Sequence, residues 1–81
     1  MPNIESSRAE LIKAIDTELQ LCDWLLAHAV ERFNDISTRV VRPEVEHKRA
    51  AYLERLNEEI TCIASRAEVL EAERNGVAAT N

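Results

Sequence analysis

Glycine and proline are almost missing from this chain, with one Gly and two Pro in 81 residues. Tight turns, bulges and hairpins draw on those two residue types, so a fold of many short strands is excluded, as are Gly-rich phosphate loops. Aromatic residues are equally few, one each of Phe, Trp and Tyr. Only two cysteines occur, Cys22 and Cys62, without a CxxC spacing or a zinc-type arrangement of His. No apolar run approaches the ~18 residues that a membrane-spanning helix needs. The start of the chain has neither a basic nor an apolar segment of the signal-peptide kind. These absences predict a cytoplasmic chain, off the membrane, with reduced thiols.

What is present is helix-forming material. Apolar residues make up 46% and charged residues 31%, a mixture rich in Ala, Leu, Ile, Glu and Arg. Ile12, Ile15, Leu19, Cys22, Leu26, Ala29, Phe33, Ile36 and Val40 recur at alternating steps of three and four. That rhythm is the seam of a coiled coil. Ser7 and Glu10 have capping-box form, which predicts a first helix over about 7–39, with Ile4 as an earlier possible start. Arg42-Pro43 breaks the pattern. Proline disfavours helix in the residue before it and suits the first turn of a new one. The loop is expected at about 40–42, and a second helix over about 43–75 carrying Leu53, Leu56, Ile60, Ile63, Ala67 and Leu70 at the same spacing. Asn75-Gly76 reads as a stop signal, leaving 76–81 as a flexible tail.

Two helices of similar length on a short connection form an antiparallel hairpin. One register aligns the seams, with Ala29 opposite Leu53, Leu26 opposite Leu56, Cys22 opposite Ile60, Leu19 opposite Ile63, Ile15 opposite Ala67 and Ile12 opposite Leu70. Near the loop, Phe33 and Ile36 would meet Arg49 and Glu46, so Val45 and Tyr52 are expected to supply the packing there. The whole chain is then a single all-α hairpin domain with a thin core. A second apolar stripe on helix 1, comprising Leu11, Ala14, Leu21, Trp24 and Leu25, calls for another neighbour, and the sequence offers no third helix. The expectation is a homodimer, two hairpins closing into a four-helix bundle, or else a different protein on that stripe.

The formal net charge is −5. That disfavours broad nucleic-acid binding, which goes with net positive charge. Yet basic residues gather near the loop. Arg39, Arg42, Lys48 and Arg49 form a possible charged contact surface, with Arg32 and Arg55 just beyond. The opposite end should be acidic. His28 with Glu31, and Glu44 with His47, stand three apart, the spacing found in di-iron helical bundles. Their heptad phase points them outward, so no metal site and no cofactor are expected. Cys22 falls on the seam and Cys62 off it, at the dimer interface or in solvent.

The architecture is similar to the plasmid copy-number hairpins, which suggests a Rop-like RNA-binding dimer as one alternative. The residues Ile15-Asp16, Leu25-Leu26, Arg42-Pro43 and Tyr52-Leu53-Glu54-Arg55-Leu56 resemble the first two helices of all-helical chorismate mutases, over about half of the chain. That resemblance implies a chorismate-rearranging enzyme. Those enzymes turn several cations into one bundle cavity and use a third helix, and Leu26 stands where an Arg is expected. The reading from the residues themselves is non-enzymatic. It is a protein–protein interaction module of the kind that phages and mobile elements use as accessory proteins, binding and inhibiting or modulating a host protein. A co-chaperone or assembly subunit of a secretion or other complex is the alternative within that class.

Overall fold

The computed structural model describes residues 4–79, with side chains from Ser6 onward. Helix α1 runs from Ile4 to Thr38 and α2 from Pro43 to Ala79. They pack against one another as an antiparallel pair, and no strand occurs among the described residues. The hairpin is a rod of 65 × 17 × 15 Å with a radius of gyration of 18.6 Å. A compact chain of this length would have about 12 Å.

The seam residues turn inward as their spacing requires. Ile15, Cys22 and Ala29 of α1 are buried, as are Leu56 and Leu70 of α2. Between them Ile12, Leu19, Leu26, Phe33, Leu53, Ile60, Ile63 and Ala67 are half-buried. Each helix therefore covers one stripe, and the rest of its circumference meets solvent.

Three boundaries differ from the sequence reading. First, Val40 is not a seam residue. It lies beyond the end of α1 and is 100% exposed. Helix α1 stops at Thr38, whose hydroxyl donates back to the carbonyls of Asn34 (2.9 Å) and Asp35 (3.1 Å), while Arg39 N–H donates to the Ile36 carbonyl at 3.3 Å in a closing turn. Second, α1 begins at Ile4, the earlier of the two starts the sequence offered, and already includes Ser7, so Ser7 is not its cap. Third, Gly76 does not end α2. Its φ is not positive, and the helix continues to Ala79. Val77 explains why: it keeps the seam phase and packs against the cluster of Ile15, Cys22 and Leu70. Residues 76–79 are thus helix rather than tail, while residues 80–81, like Pro2, lie outside the described residues.

The same cluster shifts the register. Leu70 gathers with Ile15 and Cys22 rather than sitting level with Ile12, and Val77 shares a groove with Leu11 and Ile15. Helix α2 is displaced by about one seam step toward the loop relative to the expected pairing. The connection makes room for this. Pro43 opens α2, Glu44 and Glu46 occupy its first turn where the helix dipole favours them, and Val45 N–H donates to the Arg42 carbonyl at 3.0 Å. Arg49 then donates to the carbonyl of Arg39, tying the second turn of α2 to the start of the loop.

Candidate interaction surface

The two flanks of the seam differ. In α1 the residues standing one place before each seam position are Leu11, Ala14, Glu18, Leu21, Leu25, His28 and Arg32. In α2 the corresponding set includes Tyr52, Arg55, Glu59, Cys62, Arg66, Val69 and Glu73. In an antiparallel pair these two sets share one side of the hairpin. Contacts bear this out: Arg66 donates to Glu18 at 3.2 Å across the helices, and Arg32 lines a groove with Tyr52, Arg55 and Glu59. We call this side the apolar face. On it Leu11 is 49% exposed, Leu21 55%, Leu25 39% and Val69 48%, with Ala14 and Cys62 also exposed.

The residues one place after each seam position make the opposite side. They include Lys13, Asp16, Gln20, Asp23, Ala27, Val30 and Asn34 on α1, and Glu54, Asn57, Ala64, Glu68 and Glu71 on α2. Acidic residues outnumber basic ones on this side, and Val30 is its exposed large apolar residue. Its one cross-helix bridge is from Arg74, whose Nε donates to Asp16 Oδ1 at 2.5 Å and Nη2 to Oδ2 at 3.4 Å. The hydrogen bond from Arg74 to the Asp16 carboxylate, and then that group's negative charge, hold the guanidinium pKa above its ordinary value. Both partners are partly exposed, so the bridge aligns the helices more than it stabilises them.

Four of the five stripe residues from the sequence reading therefore form one row. Leu11, Ala14, Leu21 and Leu25 lie together, and all are exposed. Trp24 departs from it. It sits about 60° round the helix from Leu21, on the outer surface of α1. Its indole is 58% exposed and rests against the His28 imidazole, with ring centroids 4.2 Å apart at 52°. On the α2 half of the face, Cys62 was expected at an interface or in solvent, but Val69 was missed, because α2 has no continuous second stripe. The usable signal was its position one place before the seam, as on α1.

The basic cluster is where the loop was expected to put it. Arg39 pairs with Asp35 at 2.6 Å and Arg49 with Glu46 at 2.5 Å, while Arg42 and Lys48 are exposed with no ion pair among the described residues. Ile36, Val41, Val45 and Tyr52 form an open apolar groove beside Arg49 and Lys48, with Val45 and Tyr52 left partly exposed rather than closing the packing expected of them at this end. His28, Glu31, Glu44 and His47 are all exposed, in keeping with their heptad phase. Among the described residues no three His, Cys, Asp or Glu side chains are gathered as metal ligands, and no helix is long and apolar enough to cross a membrane. Cys22 and Cys62 are both free thiols, the first buried and the second exposed. No protein-family model, curated protein or solved structure matches the chain.

Proposed function

We propose that this chain is a non-enzymatic protein–protein interaction module that self-associates through the apolar face into a four-helix bundle and acts by binding a further protein. The observation that carries the reading is surface. The chain exposes 6415 Å². A compact monomer of 9.2 kDa exposes about 4,900 Å², so roughly 1,500 Å² is in surplus, and the exposed leucines Leu11, Leu21 and Leu25, on one side of α1 with Glu18 between them, belong to it. Exposed apolar patches of this kind mark association surfaces.

Once that row is covered, Trp24 and the basic loop end remain outside. A large, rigid aromatic side chain free on an outer helix surface is the residue type that anchors protein contacts. Arg42 and Lys48 add charge that would steer an acidic partner. The biological role that fits best is that of a small accessory protein of the phage or mobile-element kind, which inhibits or modulates a host protein by contact.

The test has two stages. Light scattering at micromolar concentration gives the mass, and the expected value is twice 9.2 kDa. Capture from host lysate, repeated with Trp24→Ala, then separates the two surfaces. Loss of the captured protein at unchanged mass supports the reading. A monomeric chain, or capture indifferent to both Trp24 and the Leu21–Leu25 row, overturns it.

A further inference from the structure

We infer that the occupant of the apolar face is a second copy of this chain lying antiparallel, with the loop end of each hairpin against the open end of the other; this rests on the self-association proposed above. The make-up of the face favours a second copy: it exposes Leu11, Leu21, Leu25 and Val69 between basic residues at the loop end and an acidic one toward the open end.

The charge pattern sets the direction. Leu21 and Cys62 stand near the middles of helices of 35 and 37 residues. Arg32 lies eleven residues to the loop side of Leu21, and Glu73 eleven residues to the open-end side of Cys62. At 1.5 Å per residue, each is about 16 Å from the midpoint. Arg32, Arg55 and Glu73 carry no ion pair of their own among the described residues. A two-fold axis through the middle of the face brings Arg32 and Arg55 of one copy over Glu73 of the other, and repeats the match by symmetry. The same rotation carries the exposed Leu11 toward the partner's groove beside Tyr52. A parallel arrangement would instead set Arg32 and Arg55 near their own copies, with only Glu59 of the same groove to offset them, and Glu73 against Glu73. The opposite side, with five carboxylates against Lys13 and Arg74, is less favourable for self-pairing.

Val40, fully exposed at the loop, reports the direction. A spin label on Val40→Cys in a Cys62→Ser background leaves only the buried Cys22 as another thiol. Antiparallel copies place the two labels at a distance close to the 65 Å length of the rod, whereas parallel copies place them near its 17 Å width. A dimer with the long distance is the expected result. A dimer with the short distance overturns the orientation and leaves self-association standing, and a monomer by light scattering overturns both. As a second arm, Arg32→Glu with Arg55→Glu should weaken dimerisation by about tenfold or more, and adding Glu73→Arg should restore it. No loss on charge reversal, or no rescue, counts against the antiparallel match.

Discussion

Truncating Leu21 and Leu25 to Ala gives the sharpest test of the apolar face, because it changes association while leaving the fold alone. Fully burying a Leu is worth about 1.5–3 kcal/mol. Leu21 retains 55% of its exposure and Leu25 39%, so covering what remains contributes about 1.4–2.8 kcal/mol per chain on that scale. Two-fold symmetry doubles it. Alanine keeps the Cβ, so the loss on truncation is about 2–4 kcal/mol per dimer, a dissociation constant raised roughly 30- to 700-fold. The hairpin itself should survive. Neither side chain is in the buried cluster of Ile15, Cys22 and Leu70, and Ala is the strongest helix former. Sedimentation equilibrium over a dilution series reads the dissociation constant, and circular dichroism confirms the helices. A double variant that dimerises like the parent would refute the assignment of this face. So would a loss of helix in step with the loss of dimer, since that would make the two leucines part of the fold.

Other substitutions address the hairpin and its surfaces. Leu70→Ala, at the most buried side chain of the chain, should cost about 2–5 kcal/mol in chemical denaturation. Gly76→Ala should stabilise by about 0.5–1 kcal/mol, because Gly76 is helical without a positive φ and an added Cβ meets nothing within 4 Å. Arg74→Ala should lower the unfolding midpoint by less than Leu70→Ala does. Because the Asp16 carboxylate raises the Arg74 pKa, the guanidinium's contribution is in place below the ordinary Arg range wherever that carboxylate is charged, and is lost on the basic side only in strongly alkaline solution. Cys62 should react quickly with a thiol reagent in dilute protein and slowly where the dimer forms, while Cys22 stays slow in both.

The helices were legible because their signal is redundant. Eight of the nine seam residues read on α1 turn inward, and the exception, Val40, falls just outside the helix. Boundaries and register depended on interactions that no spacing encodes. Helix α1 ends at Thr38, just ahead of the Arg42-Pro43 break, with Arg39 N–H closing a turn on the Ile36 carbonyl. Gly76 looked like a stop because glycine is common at helix ends, but a seam residue just beyond it outweighed that preference, at a helix cost of only about 1 kcal/mol. The register moved because six seam pairs can be matched at more than one offset. The choice fell to Val77, which was assigned to the tail, and to the Arg49 contact with the Arg39 carbonyl across the loop.

The surface was legible in half. The α1 row stands out because three leucines share a phase, but a face of a hairpin belongs to two helices. Cys62 and Val69 look incidental in α2 until the antiparallel pairing sets them beside Leu25 and the Glu18–Arg66 bridge. Phase also decides which exposed residues belong together. Trp24 follows Leu21 by three residues, yet the helix turns it off the row, so one apolar list separates into a face suited to a second copy and an aromatic anchor outside it. A chain that acts by contact needs both, because a surface consumed in self-association is no longer free for anything else. On the proposed reading, the division between the Leu11–Leu25 row and Trp24 would let one short hairpin dimerise and still present a binding residue on each copy.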